Sequence, residues 1–266
     1  MKNTRTCAHA LRLATLAATV ALPGTTHAVP PPNATITWGL AAGIAGESDV
    51  LTAGTLVGAF NLGTTSVSAT TVNAVPFAPF AVPSFVGPAT MTVGNFSLSY
   101  GDGVFASNSI FSAPAPPYAT LTPAYKTLLA AGVADQFHRT FTLSMNGLTP
   151  GQAYAFQWWC NDGSLIFGGS TYITTAEAVN TVSLLDNTST TPGTVGQQVT
   201  GTFTANAIGS ETVTFSGNVP IFQTSSDAVL NAFQLRTVPA PEPASGALLA
   251  GGLALLLGTR TRHRAA

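Results

Sequence analysis

The chain has 266 residues, of which 7% are charged, against about 25% in ordinary globular proteins. Between residues 29 and 237 only Lys126, Arg139 and Arg236 stand against nine Asp and Glu, a net charge of −6. That balance excludes nucleic acid and anionic lipid surfaces as partners, since both require clustered Lys or Arg.

The N-terminus predicts an export signal. Lys2, Arg5 and Arg12 make a positive start, Leu11–Leu22 an apolar core, and Thr26-His27-Ala28 a small-residue cleavage pattern. Signal peptidase is therefore expected to cut between Ala28 and Val29, removing residues 1–28 as a signal helix. The core is too short to span a bilayer as an anchor. Cys7 precedes that core, which argues against a lipoprotein. Cys160 is then the one cysteine of the mature chain, and burial is its expected state.

Residues 29–237 fit one domain with a core of its own. Short β-branched or alternating runs bounded by Gly, Pro, Asn or Ser recur along it and predict strands. They cover Thr35–Leu40, Thr55–Leu62, Ser66–Val72, Asn95–Tyr100, Arg139–Met145, Ala153–Cys160, Val179–Leu185, Val199–Ala205, Glu211–Ser216 and Val229–Arg236. In Arg139–Met145 the side chains of Phe141, Leu143 and Met145 share one face, and Thr140, Thr142 and Ser144 the other. Val229–Arg236 places Asn231 on an otherwise apolar face. The proline density of Ala74–Pro88 excludes a central strand and predicts a surface crossover whose phenylalanines lid the core. Ala113–Pro117 is a second proline-rich connector. One short helix follows, with Thr122 as cap, Pro123 at its first position, Gly132 closing it, and Tyr125, Leu128 and Leu129 as its apolar stripe. Together these elements predict an all-β fold, an antiparallel β-sandwich with one short helix.

Tyr154–Asp162 is the strongest binding candidate. Tyr154, Phe156, Trp158 and Cys160 point to one side of a strand, Gln157 and Trp159 to the other. If the second row is exposed, Trp159 offers a stacking face and Gln157, Asn161 and Asp162 hydrogen-bonding groups, a combination suited to sugars. The alternative is that both tryptophans are structural. Glu47, Asp49 and Asp227 are acids near the ends of the domain and form a speculative Ca²⁺ set; the alternative there is turn chemistry. No other cofactor is expected. His138 is the one histidine of the mature domain and no Gly-x-Ser-x-Gly turn exists, so a catalytic triad is not expected. Catalysis by paired carboxylates, as in a secreted glycan-active hydrolase, is the least favoured reading.

Residues 238–266 read as a membrane-engaged tail. Pro241-Glu242-Pro243 precedes an uncharged, Leu-rich run over residues 244–258, and Arg260, Arg262 and Arg264 follow. The run is shorter than the roughly 20 residues of a comfortable span, a mismatch that bilayer thinning absorbs. The three arginines are expected on the cytoplasmic side of a C-terminal transmembrane helix. The order of stiff motif, apolar run and arginine cluster resembles the PEP-CTERM sorting signal of Gram-negative bacteria. That resemblance implies an exosortase as partner, acting at Pro241, Glu242 and Pro243.

The segments Ile36-Thr37-Trp38-Gly39, Gly46-Glu47-Ser48-Asp49-Val50, Phe156-Gln157-Trp158-Trp159-Cys160-Asn161-Asp162 and Asn231-Ala232-Phe233-Gln234-Leu235-Arg236 look like the extracellular β-sandwich domains found ahead of such tails. Gly147-Leu148-Thr149-Pro150-Gly151-Gln152-Ala153-Tyr154 resembles the strand lead-in of galactose-binding-like jelly rolls. The expectation is a non-enzymatic protein of the cell surface or exopolysaccharide matrix, held in the membrane by its tail until processed, with weak affinity for extracellular polysaccharide. A self-associating structural surface protein is the alternative.

Overall fold

The computed structural model describes residues 35–83, 87–101, 103–135, 140–164, 173–218 and 227–238. The signal and tail segments, His138 and Arg139 lie outside them. Chain order begins with β1 (Thr37–Trp38), β2 (Ala42–Gly43), β3 (Thr55–Gly63), β4 (Thr70–Val72), β5 (Val75–Ala81), β6 (Ala89–Val93), β7 (Phe96–Tyr100) and β8 (Val104–Ser107). Next come α1 (Pro123–Ala130), β9 (Gly132–Asp135), β10 (Thr140–Met145) and β11 (Ala153–Cys160). The remainder is β12 (Ile173–Glu177), β13 (Thr181–Leu185), β14 (Gln197–Thr204), β15 (Glu211–Asn218), β16 (Val229–Leu230) and β17 (Ala232–Thr237).

Two large sheets form a sandwich, consistent with the all-β expectation. One has eight strands in the order β1-β14-β11-β17-β3-β5-β4, with β2 also on β14; the other has six, β13-β12-β15-β10-β7-β6. A smaller sheet, β16-β9-β8, closes the side. Between the large sheets the apolar alternation of each meets the other. Trp158 of β11 packs on Phe215 of β15 at 5.0 Å between centroids, and Phe96 of β7 on Phe60 and Phe233 at 4.9 and 5.6 Å. The residues that the sequence places on one face of β10, Phe141, Leu143 and Met145, are all buried here.

A second apolar layer lies on the opposite side of the eight-stranded sheet. Ala59, Val72, Phe77, Trp159 and Ala232 from the sheet meet Tyr125, Leu128 and Leu129 of α1 and Ile44 and Val50 of the segment before β3. That segment, residues 44–54, carries one 3-10 turn at Glu47–Asp49 and otherwise lies across the sheet as an irregular strap. The eight-stranded sheet is thus covered on both faces over this region.

Four expectations are corrected. The proline-rich run does contain a strand: β5 lies between β3 and β4 in the large sheet. Its first half, Val75–Phe77, pairs with β4, and its second half, Ala78–Ala81, pairs with β3. Each half is bonded on one side alone, so Pro76 and Pro79 need no donor on the other. Phe77 and Phe80 of this strand are buried, as lids of the core should be. The β3–β5 pair is also parallel, an exception among antiparallel pairings. The helix ends at Ala130, with Ala131 extended, so Gly132 opens β9 rather than capping the helix. Finally, Val229–Arg236 is two strands separated at Asn231, whose side chain serves the interior instead of a ladder.

Candidate functional site

The predicted sugar-binding row is inside the molecule. Trp159 and Asn161 are 0% exposed, Asp162 1% and Gln157 2%, so none offers a surface for a ligand to stack on. The correction has a physical cause. The strap is irregular backbone laid on a sheet, and its N–H and C=O groups need partners there. Polar side chains from neighbouring strands supply them. Gln157 Nε2 donates to Asp49 O (2.6 Å) and Gln198 Oε1 (2.9 Å), and its Oε1 accepts from Leu51 N (2.9 Å) and Gln234 Nε2 (2.6 Å). Arg236 donates from Nε to Ala53 O and from Nη2 to Thr52 O and Gly54 O, each at 2.9 Å. Among the described residues these guanidinium contacts are carbonyls and the Gln234 amide oxygen, and burial lowers the Arg236 pKa.

Trp159 donates its indole N–H to Tyr125 Oη (3.0 Å), and Tyr125 donates to Asp49 Oδ2 (3.2 Å). The ring also meets Phe77 edge-on at 5.7 Å. Asn161 works at the end of β11: Nδ2 donates to Phe111 O (3.1 Å) and Leu129 O (3.3 Å), and Oδ1 accepts from Gly196 N (3.0 Å). Asp162 Oδ1 accepts from the backbone and hydroxyl of Ser164 at 3.1 and 2.6 Å.

The speculative Ca²⁺ set does not assemble. Asp49 Oδ2 accepts from Ala45 N and Gly46 N (2.7 and 3.0 Å), and Glu47 accepts from the hydroxyl of Thr122. Both acids therefore tie the strap to its own turn and to α1. Asp227 stands on a different element, leading into β16 of the small sheet. Among the described residues no group of three or more His, Cys, Asp or Glu is placed to hold a metal.

Cys160 is buried and donates to Thr174 Oγ1 at 3.3 Å. Burial, then the charge of Asp186, pushes its thiol pKa well up. Burial, then the charge of Asp49, does the same for the Tyr125 hydroxyl, and burial raises Tyr118. In the unfolded chain these groups lose protons near pH 8.5 for Cys and about 10 for Tyr, before the folded chain does. Stability is therefore full below about pH 8.5 and falls as pH rises beyond it. Denaturant midpoints should be lower at pH 10 than at pH 7.5. The native thiol should react with a disulfide reagent at least about 100-fold more slowly than the unfolded one.

What the structure does present to solvent is the outer face of the six-stranded sheet. The same alternation that buries Phe141, Leu143, Val213 and Phe215 turns Ser and Thr outward. Register aligns them in rows. Thr90, Ser99, Thr142, Thr214, Glu177 and Thr181 follow one another across all six strands. A second row is Thr92, Ser97, Ser144 and Thr212, and a third Thr140, Ser216, Thr175 and Ser183. Hydroxyls bond along the rows: Thr90 to Ser99 at 2.8 Å, Thr92 to Ser97 and Thr175 to Ser183 at 2.9 Å, Thr142 to Thr214 at 3.3 Å. Glu177 is the sole charge in these rows and accepts from Ser216 at 3.2 Å. At one corner lies a shallow depression of about 460 Å³, lined by Pro88, Ala89, Thr90, Ser99, Tyr100, Gly101, Thr140 and Thr142. The Tyr100 ring belongs to the core face of β7 with Phe96 and Leu98, opposite these hydroxyls. The sequence carries this face openly in its Thr/Ser alternation, but only the strand order brings six such runs side by side.

No protein-family model matches the chain, and no curated protein does. Among solved structures, one of the carbohydrate-binding modules from the β-sandwich superfamily aligns at 12% identity over 56% of this chain and 69% of that one, with a TM-score of 0.15. At that score the likeness carries no argument, and the sandwich stands on the sheets described above.

Proposed function

We propose that this is an exported, non-enzymatic protein of the cell surface or polysaccharide matrix, processed at both ends. In this reading signal peptidase cuts between Ala28 and Val29. Residues 244–258 then hold the chain in the inner membrane as a helix, with Arg260, Arg262 and Arg264 on the cytoplasmic side. An exosortase acts at Pro241, Glu242 and Pro243. The sandwich is of the jelly-roll, galactose-binding-like kind, in keeping with Gly147–Gln152 carrying the chain from β10 in one sheet to β11 in the other.

The observation that carries the reading is where the chain enters and leaves the domain. Thr237, at the end of β17, lies opposite Tyr154, and Tyr154 opposite Phe203. Thr37, at the start of β1, lies opposite Thr202 on that same strand. Val238 N donates to Ala153 O at 2.8 Å, and Thr35 and Val238 line one groove. Both ends thus emerge at one pole of the eight-stranded sheet. A tail held in a membrane then leaves the other pole and the hydroxyl face clear. Among the described residues no helix is long and apolar enough to cross a membrane, so this step falls to residues outside them. The closed interior supports a presenting rather than a catalytic role: Asp135, Asp162, Asp186 and Glu211 are buried, and Glu47 and Asp49 bind the strap.

Intact-mass measurement of the exported protein tests both processing events. The expected product begins at Val29 and ends within or just after the Pro-Glu-Pro motif. A chain cut after Val238 should appear in the soluble fraction instead of passing through the membrane. A truncated chain with the same destination and the same membrane-bound intermediate as the full one overturns the proposal.

A further inference from the structure

We infer that the outer face of the six-stranded sheet binds an extended, neutral polysaccharide, with the depression lined by Thr90, Ser99, Thr140 and Thr142 as one end of its track. This rests on the matrix reading for where the polymer is met, but the argument comes from the face itself. Each hydroxyl has one donor and two acceptor positions, and the row bonds use one donor per pair. Every pair therefore keeps a donor and several acceptors directed at solvent. The rows repeat at the strand spacing of about 4.8 Å in one direction and about 6.8 Å, two residues, in the other. That is a regular array of hydrogen-bonding groups with no cation and a single carboxylate, Glu177.

Charge decides among partners. An acidic polymer or nucleic acid finds no Lys or Arg in these rows to neutralise it. A second copy of the sheet would bury hydroxyl rows against hydroxyl rows, without the apolar centre that stable homodimer interfaces have. An uncharged chain of sugars brings hydroxyls that match the free valences and carries no charge to desolvate. The depression gathers the outward side chains of Thr90, Ser99, Thr140 and Thr142 around one hollow.

The test is retention of the exported protein on insoluble cellulose, chitin and β-1,3-glucan, with alginate beads as the acidic comparison. The expected result is retention on at least one neutral polymer, unchanged between low and high salt, and none on alginate. The double variant Thr142→Val, Thr214→Val keeps the β-branched shape and should weaken retention by about tenfold or more. Thr202→Val, on the other large sheet, should change nothing.

Failure to be retained by any neutral polymer overturns the inference. So does equal retention of the double variant, or concentration-dependent dimerisation that the double variant abolishes, which assigns the face to a second copy. The processing reading stands or falls on mass and location alone, so the two failures are separable.

Discussion

Trp159→Ala is expected to lower folding stability by about 3–5 kcal/mol, the range for truncating a fully buried aromatic residue. The indole fills the layer between the eight-stranded sheet and the strap, edge-on to Phe77 and within hydrogen-bond reach of Tyr125. Its loss opens a cavity and frees one end of the Trp159–Tyr125–Asp49 chain that fastens α1 to the strap. Chemical denaturation with two probes, near-UV and far-UV, measures the loss. Polysaccharide retention of the folded fraction should stay at the wild-type level, because Trp159 lies on the far side of the sandwich from the hydroxyl rows. A Trp159→Ala protein that keeps its stability and loses retention would restore the stacking role and contradict the buried placement.

Asn231→Ala is expected to cost about 3–5 kcal/mol, chiefly by stranding buried backbone groups. Asn231 is fully buried between β16 and β17. Its Oδ1 accepts from Asn161 N at 2.7 Å, and its Nδ2 donates to Leu129 O at 3.0 Å and Ala131 O at 2.9 Å. Leu129 O keeps a second partner in Asn161 Nδ2, whereas Asn161 N and Ala131 O lose the side-chain partner just described. Asn231→Asp separates the two halves of the role. The carboxylate still accepts from Asn161 N but faces two carbonyls, so it should destabilise strongly at neutral pH. Burial and those carbonyls raise its pKa in the folded state, so part of the loss should return as pH falls and the acid protonates. A loss under about 1 kcal/mol in Asn231→Ala would remove Asn231 as the joint between the end of the helix and the end of β11.

Much of this was legible in the residues. Thr122 and Pro123 mark the start of α1, and its side chain accepts from Tyr125 N as a cap should. The two-residue alternation in β10 and β15 separates core from hydroxyl side chains correctly, since a strand has no other way to place them. Phe77 and Phe80 are buried, as their spacing among prolines suggests. Other elements escaped for identifiable reasons. Ala89–Val93 alternates cleanly but follows the proline run. Gly132–Asp135 is a four-residue strand directly after a helix, where a glycine ordinarily reads as a stop.

By itself the amino-acid order determined which side chains share a strand face, where the helix begins, and that Cys160 is the one cysteine between residues 29 and 237. It could not determine what lies over each face. Gln157, Trp159, Gln234 and Arg236 alternate with core residues in the same way whether water or a strap covers them, because periodicity reports direction and not occupancy. Only the tertiary structure laid residues 44–54 across that row and turned a promising sugar site into an internal joint. It likewise split the pairing of β5 between two neighbours, so that its prolines cost no hydrogen bond, and ranked six Thr/Ser strands side by side. Each of these depends on contacts between segments far apart in the chain, which no local pattern encodes.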